Sequence, residues 1–184
     1  VALRLIESEQ RHAERILSAI AGDQSAQSWL VESYTAPIFR YCYRMLRNTE
    51  DAQELTQEVL LRALRNIERF DPNRSFKTWV FSIARNACID FHRKKRPTVS
   101  DAVVPLEDKG PLPSEITLQK ERAQRLEQAL DTLAPLYREV IILYHFEHLK
   151  YQEIAETLDV PLGTVMNRIF RARRKLREAY GEQP

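Results

Sequence analysis

An all-α fold is what this sequence predicts, on three observations. Only four of its 184 residues are Gly, while Ala, Leu, Glu and Arg recur throughout. Apolar residues return every three or four positions, as one face of a helix requires. No segment shows the sustained alternation of a half-buried strand.

Taken in order, the first half predicts helices over about 8–21, 24–47, 49–66 and 75–96. Residues 1–22 are expected to be an ordered first helix rather than a loose lead. Asp23 and Thr49 are plausible starting caps, because a short polar side chain can accept from an otherwise unpaired backbone N–H. Pro37 should kink the second helix or split it. Phe70-Asp-Pro-Asn-Arg-Ser75 has the composition of a loop, with Ser75 placed to cap the next helix. From Pro97 to Pro113 four prolines and Gly110 forbid a continuous helix, so this stretch is predicted to be a flexible linker able to span tens of Å. Helices at about 114–132, 135–147, 151–158 and 162–180 then form a second, smaller unit. Two helical domains, 1–96 and 114–184, joined by the linker 97–113, are therefore expected.

Formal charge is only +2, yet it averages over segments of opposite sign. Glu50, Asp51, Glu54 and Glu58 form an acidic block without a base, His92 to Arg96 is a basic cluster, and the tail carries Arg168, Arg171, Arg173, Arg174, Lys175 and Arg177. Two basic patches and one acidic patch point to a polyanion held at two places and a protein at a third. Cys42 and Cys88 lie far apart in helical patterns, without a Cys-x-x-Cys pair, which fits a reducing cytoplasm. No apolar run approaches the ~20 residues of a membrane span, and Val1 to Gln10 lacks the core of a signal peptide, so no membrane insertion is expected.

The strongest local pattern runs from Tyr151 to Val165 and has the apolar spacing of a helix-turn-helix. Ile154, Ala155 and Leu158 pack a short helix, Asp159-Val160 turns the chain, and Val165, Ile169 and Leu176 anchor the second helix. With Thr164 as its cap, that helix would hold Asn167, Arg168, Phe170, Arg171, Arg173 and Arg174 away from the core, where a major groove can receive them. The plainer reading is an αα-hairpin with a solvated basic face.

Residues 149–176 resemble the DNA-binding region of extracytoplasmic-function sigma factors of the sigma-70 family, with its Glu-Ile-Ala core, its Gly-Thr-Val and its arginine-rich helix. Three further blocks are similar and in the family's order: Asp51 to Val59 to its polymerase-binding helix, Phe76 to Asn86 to its promoter-melting helix, and Leu133 to Leu143 to the helix before the DNA reader. The resemblance implies a transcription initiation factor that directs core RNA polymerase to promoters in a stress or envelope response. It implies contacts with the beta-prime coiled coil and the beta flap, and restraint by an anti-sigma factor. It implies no catalysis and no cofactor.

The residues agree with these roles. Asp51, Glu54, Leu55 and Glu58 fall at helical spacing, so carboxylates can frame an apolar residue on one face and meet a basic helix; with Gln57 they are the expected polymerase contacts. The alternative is a solvated acidic helix start that complements its own dipole. For the melted part of the promoter, the −10 element, Arg74, Lys77, Arg85, Asn86, Arg93, Lys94 and Lys95 are the expected DNA contacts. Trp79 and Phe81, at helical spacing, are expected mainly to pack the core. The resemblance also implies that Asn86 and the loop 70–76 form a pocket for a flipped base. For the −35 element the expected contacts are Thr164, Met166, Asn167, Arg168, Phe170, Arg171 and Arg174. Met166 stands where many members carry Lys or Arg, and Tyr144 and His148 where Arg and Gly are frequent, which shifts the promoter sequence read more than the function.

His145 with His148, and Cys88 with His92, have spacings a metal accepts, but neither pair has a third ligand nearby, so no metal is expected. Phosphate-cradling Gly loops and nucleophile elbows are absent from the sequence. A helix-turn-helix regulator would account for the tail alone, and a sigma-like adaptor for everything except DNA reading. Promoter-dependent transcription separates them.

Overall fold

A computed structural model describes residues 2–95 and 125–180, and every described element is helical. The chain divides into two units, Val1–Pro97 and Thr98–Pro184. The stretch expected to be a linker, the start of the 114–132 helix, Arg96 and the side chain of Lys95 lie outside the described residues.

In the first unit, α1 (Ala2–Ile20) begins earlier than the apolar pattern announces, and α2 is Gln24–Leu46. The Asp23 carboxylate accepts from the Ala26 N–H at 2.7 Å and so starts α2 as its residue type predicts. Gly22 reaches a φ of 91° in the turn before it, which an L side chain rarely adopts. Pro37 neither splits nor ends α2. It removes one backbone donor, but Tyr34 and Ile38 on either side are buried, and this packing outweighs the helix penalty of ~3 kcal/mol.

α3 is Thr49–Arg65, followed by a 3-10 turn at Ile67–Arg69, and α4 is Phe76–Lys95. The cap of α3 is Asn48 rather than Thr49: its side-chain oxygen accepts from the Asp51 N–H at 2.9 Å, and Thr49 is already the first helical residue. Asn48→Ala is expected to lower stability by about 1 kcal/mol, read as a shift in urea midpoint, whereas Thr49→Ala changes it by less than half as much. Packing α2 against α3 and α4 buries Ile38, Tyr41, Val59, Phe81 and Ala84 at 0% exposure, so these residues form the core of this unit.

In the second unit a helix described over 125–131 (α5) is followed by α6 (Pro135–Ile141), a π turn (Ile142–Phe146), α7 (Tyr151–Leu158) and α8 (Leu162–Tyr180). Leu130, Leu133, Ile141 and Ala172 form a buried cluster, with Tyr137, Phe146 and Leu176 packed on it. Arg138 closes the end of α5 by donating to the carbonyls of Leu130, Asp131 and Leu133 at 3.0, 3.1 and 3.3 Å.

The 135–147 segment departs from the single expected helix. Ile141, Ile142 and Leu143 are all buried, and on an α-helix three successive side chains point about 100° apart and cannot all face one core. The chain widens there to a π turn, with the Glu147 N–H donating to the Ile142 carbonyl at 3.1 Å, so the apolar run is buried on more than one side. His148 then takes a φ of 54° to release the chain. This left-handed backbone gives a physical reason for the Gly frequent at that point in the resembled family.

Candidate partner and nucleic-acid interfaces

The register of α3 is set by Ala52, Leu55, Thr56, Val59 and Ala63, all buried. What remains outside is an acidic face: Glu50, Glu54 and Gln57 are exposed, and Asp51 and Glu58 are half-buried at its edges. Leu55 is a correction, because at 3% exposure it points into the core and frames nothing. The apolar residue on the outward face is Leu61, at 51% exposure.

Nor is the block free of bases in space. Arg62, one turn beyond Glu58, forms a salt bridge with it and lies 4.0 Å from Asp90 of α4, which holds Arg93 at 3.0 Å. The i, i+4 spacing of Glu58 and Arg62 is the signal in the sequence that announces this bridge. Glu58 is thus engaged within the fold, and the open part of the acidic face is centred on Glu50 and Glu54.

Before α4 the loop is shaped by Asp71, which accepts from the Asn73 backbone N–H at 2.9 Å, and by Ser75, which accepts from the Thr78 N–H at 3.3 Å. Aromatic rings turn inward. Trp79 is half-buried and packs on Phe70 and Phe76 with centroids at 5.2 and 5.4 Å, and Phe81 is fully buried. Cations and one amide are left outside: Arg74, Asn86, Arg93 and Lys94 are at the surface, with Lys77 and Arg85 half-buried. Asn86, Ile89 and Arg93 follow one another on one outward stripe.

In the second unit, α7 ends at Asp159, whose φ of 51° turns the chain into α8. Thr164 is not the cap of α8: the helix starts at Leu162, and the Pro161 carbonyl accepts from the N–H groups of Thr164 and Val165 at 2.9 and 3.3 Å. Val165, Ile169 and Ala172 are buried, and that leaves Met166, Asn167, Phe170, Arg171 and Arg174 exposed, with Thr164 and Arg168 half-buried. Two large apolar side chains stand out among them, Met166 at 52% and Phe170 at 63% exposure. Arg171, Asn167 and Thr164 also line an open cleft of about 460 Å³ against Leu136 and Tyr137 of α6.

Arg173 has a different position from its neighbours. Its guanidinium lies 5.1 Å from the centre of the Tyr144 ring, which also meets His145 and Tyr151 at 4.8 and 5.1 Å. Tyr144 therefore supplies a shelf for this arginine. Burial, then the charges of Arg173 and His148, hold His145 below the ordinary histidine pKa.

Among the described residues no group of three or more His, Cys, Asp or Glu is placed to hold a metal ion, and no helix is long and apolar enough to cross a membrane. Cys42 and Cys88 are buried thiols outside any disulfide.

Residues 30–98 match Sigma-70 region 2, and residues 123–176 match Sigma-70, region 4. The ECF RNA polymerase sigma factor SigW of Bacillus subtilis (strain 168) is 38% identical over 176 residues, covering 90% of this chain and 94% of that protein. The chain belongs to the ECF sigma factors of the sigma-70 family. The ECF RNA polymerase sigma-E factor of Escherichia coli (strain K12) is 31% identical over 163 residues, covering 83% of this chain and 85% of that protein. The fold is also that of CnrH, solved in complex with the cytosolic domain of CnrY, at a TM-score of 0.70 and 24% identity over 91% of this chain and 96% of that one. A sigma factor directs RNA polymerase to promoters, and the chemistry of RNA synthesis belongs to the polymerase.

Proposed function

We propose that this sigma factor divides its work among three faces. The acidic face of α3, with Asp51, Glu54, Gln57 and Glu58, meets a basic helix of core polymerase, which by family resemblance is the beta-prime coiled coil; the beta flap is the expected partner of the second unit. Arg74, Lys77, Arg85, Asn86, Arg93, Lys94 and Lys95 hold the melted −10 strand, and the exposed side of α8 reads the −35 element. Domain limits of 1–96 and 114–184 with a linker at 97–113 accompany this reading. The observation that carries it is the charge pattern over the fold: carboxylates gather on one helix, while the exposed sides of α4 and α8 are basic.

An anti-sigma factor that covers these faces completes the proposal. Its support is that the RpoE of Bartonella quintana, similar in fold at a TM-score of 0.65 and 23% identity, is solved in complex with the anti-sigma factor NepR. The compartment is the cytoplasm, where polymerase acts and where two thiols outside any disulfide stay reduced. A pulldown from the native host that recovers polymerase alone would remove the anti-sigma partner.

Run-off transcription with purified core and host promoter fragments tests the reading. Arg171→Ala is expected to weaken starts about tenfold, an effect lost when the −35 element is scrambled. Arg93→Ala with Lys94→Ala is expected to weaken all promoters alike and to lower the salt slope of promoter binding by about 2. Starts indifferent to both variants would place the DNA contacts elsewhere.

A further inference from the structure

Arg173 is exposed on α8 and stands outside the expected −35 contacts. Along the helix it comes seven residues after Met166 and three after Phe170, which at about 3.6 residues per turn puts the three side chains on one stripe. A recognition helix meets base edges with its N-terminal residues. About two turns later, ~10 Å further along the axis, Arg173 is at the distance where phosphates wall a major groove ~12 Å wide. Its neighbour Arg174 pairs with Glu178 at 3.6 Å, whereas no carboxylate among the described residues pairs with Arg173.

What holds Arg173 instead is the Tyr144 ring, with the guanidinium carbon 5.1 Å from its centre. A guanidinium over an aromatic ring is engaged through its face, and its N–H donors remain around the edge for an anion. The ring is itself fixed. Tyr144 is half-buried in the π turn Ile142–Phe146, directly after the buried Leu143, and Tyr151 of α7 braces it at 5.1 Å. An exposed arginine loses much rotamer freedom when a ligand orders it, and here the ring imposes that order in the free protein.

We propose that Arg173 holds one backbone phosphate at the border of the −35 element and that Tyr144 is its positioning residue. The inference rests on the −35 reading above and deepens it. A phosphate contact carries no base identity, so this pair sets the affinity and register of α8 on the duplex, while Asn167, Phe170 and Arg171 choose among sequences. Tyr144 stands where Arg is frequent in the family, so in this chain a second cation gives way to a support for the first.

The test uses the full chain in holoenzyme, titrated onto promoter DNA with a single uncharged methylphosphonate moved one phosphate at a time across the −35 element. Arg173→Ala is expected to weaken binding to unmodified DNA about tenfold and to lower the salt slope by about 1. At one phosphate, and only there, the methylphosphonate should weaken the unmodified chain yet cost Arg173→Ala nothing further. Tyr144→Leu, which keeps apolar bulk without an aromatic face, should weaken binding about fivefold, and Tyr144→Phe should preserve it. In an Arg173→Ala background Tyr144→Leu should have no effect, an outcome that a merely structural role for Tyr144 would not give. Equal losses from Tyr144→Leu with and without Arg173, or a methylphosphonate profile unchanged by Arg173→Ala, would overturn the proposal and leave the −35 reading intact. If scrambling the −35 element does not weaken the unmodified chain, that reading fails and this inference with it.

Discussion

A chain carrying Glu54→Arg and Gln57→Arg is expected to lose affinity for core polymerase by about 100-fold or more, yet to melt with the unmodified protein. Both positions are exposed on the outward side of α3, whose register is fixed by the buried Ala52, Leu55, Thr56 and Val59. Arginine is a good helix former, and exposed substitutions away from caps change stability by only ~0.5 kcal/mol. At an interface the balance differs, since truncating one partner of a desolvated charge pair costs about 2–5 kcal/mol and reversing it adds repulsion. Each 1.4 kcal/mol is about tenfold in Kd. Glu58→Arg would be a poorer probe. It would break the bridge to Arg62 and disturb the contact of Arg62 with Asp90, mixing an internal effect with the interfacial one. Anisotropy titration of labelled chain with core, beside a thermal melt, separates affinity from folding. Unchanged affinity would move the interface off this face.

Sequence periodicity carries most of the fold because most of it depends on side chains at fixed spacing. Val165 and Ile169 are buried as their spacing requires, and with Ala172 also turned inward they leave Asn167, Phe170 and Arg171 outside. What periodicity cannot carry is choice among neighbours. Asn48 and Thr49 are both good caps, and which one caps depends on where the chain leaves Arg47, itself left-handed at a φ of 58°. Leu55 groups with the carboxylates around it in sequence because three acids and one leucine at helical spacing describe an edge, not a direction; the packing of α3 on α2 and α4 turns it inward. The π turn at Ile142–Phe146 leaves a trace in the apolar run Val140 to Leu143, which is too continuous for one face of an α-helix. The contacts of His12 in α1 with Trp29 and Tyr34 in α2 leave none, because they join side chains of two different helices and no local pattern announces them.

Phe81→Ala is expected to destabilise the first unit by about 3–5 kcal/mol, against a total of ~5–15 kcal/mol for a domain. Phe81 is fully buried in α4 and meets the equally buried Tyr41 of α2 edge-on, with ring centroids at 5.5 Å and planes at 78°. Removing the ring forfeits that contact and leaves a void in a core whose other members, Ile38, Val59 and Ala84 among them, have no exposed surface. The chain offers a clean readout, because its two tryptophans are Trp29 and Trp79 and both lie in the first unit. Tryptophan fluorescence during urea titration therefore follows that unit alone, and far-UV circular dichroism follows both. The fluorescence midpoint should fall sharply while the residual dichroism, carried by the second unit, unfolds at its original midpoint. Promoter opening should fall with the first unit, since α4 presents Asn86, Arg93 and Lys94 only as well as Phe81 holds it on α2. A loss below ~1 kcal/mol would mean that α4 is anchored elsewhere, and that the positions of its cations do not depend on this ring.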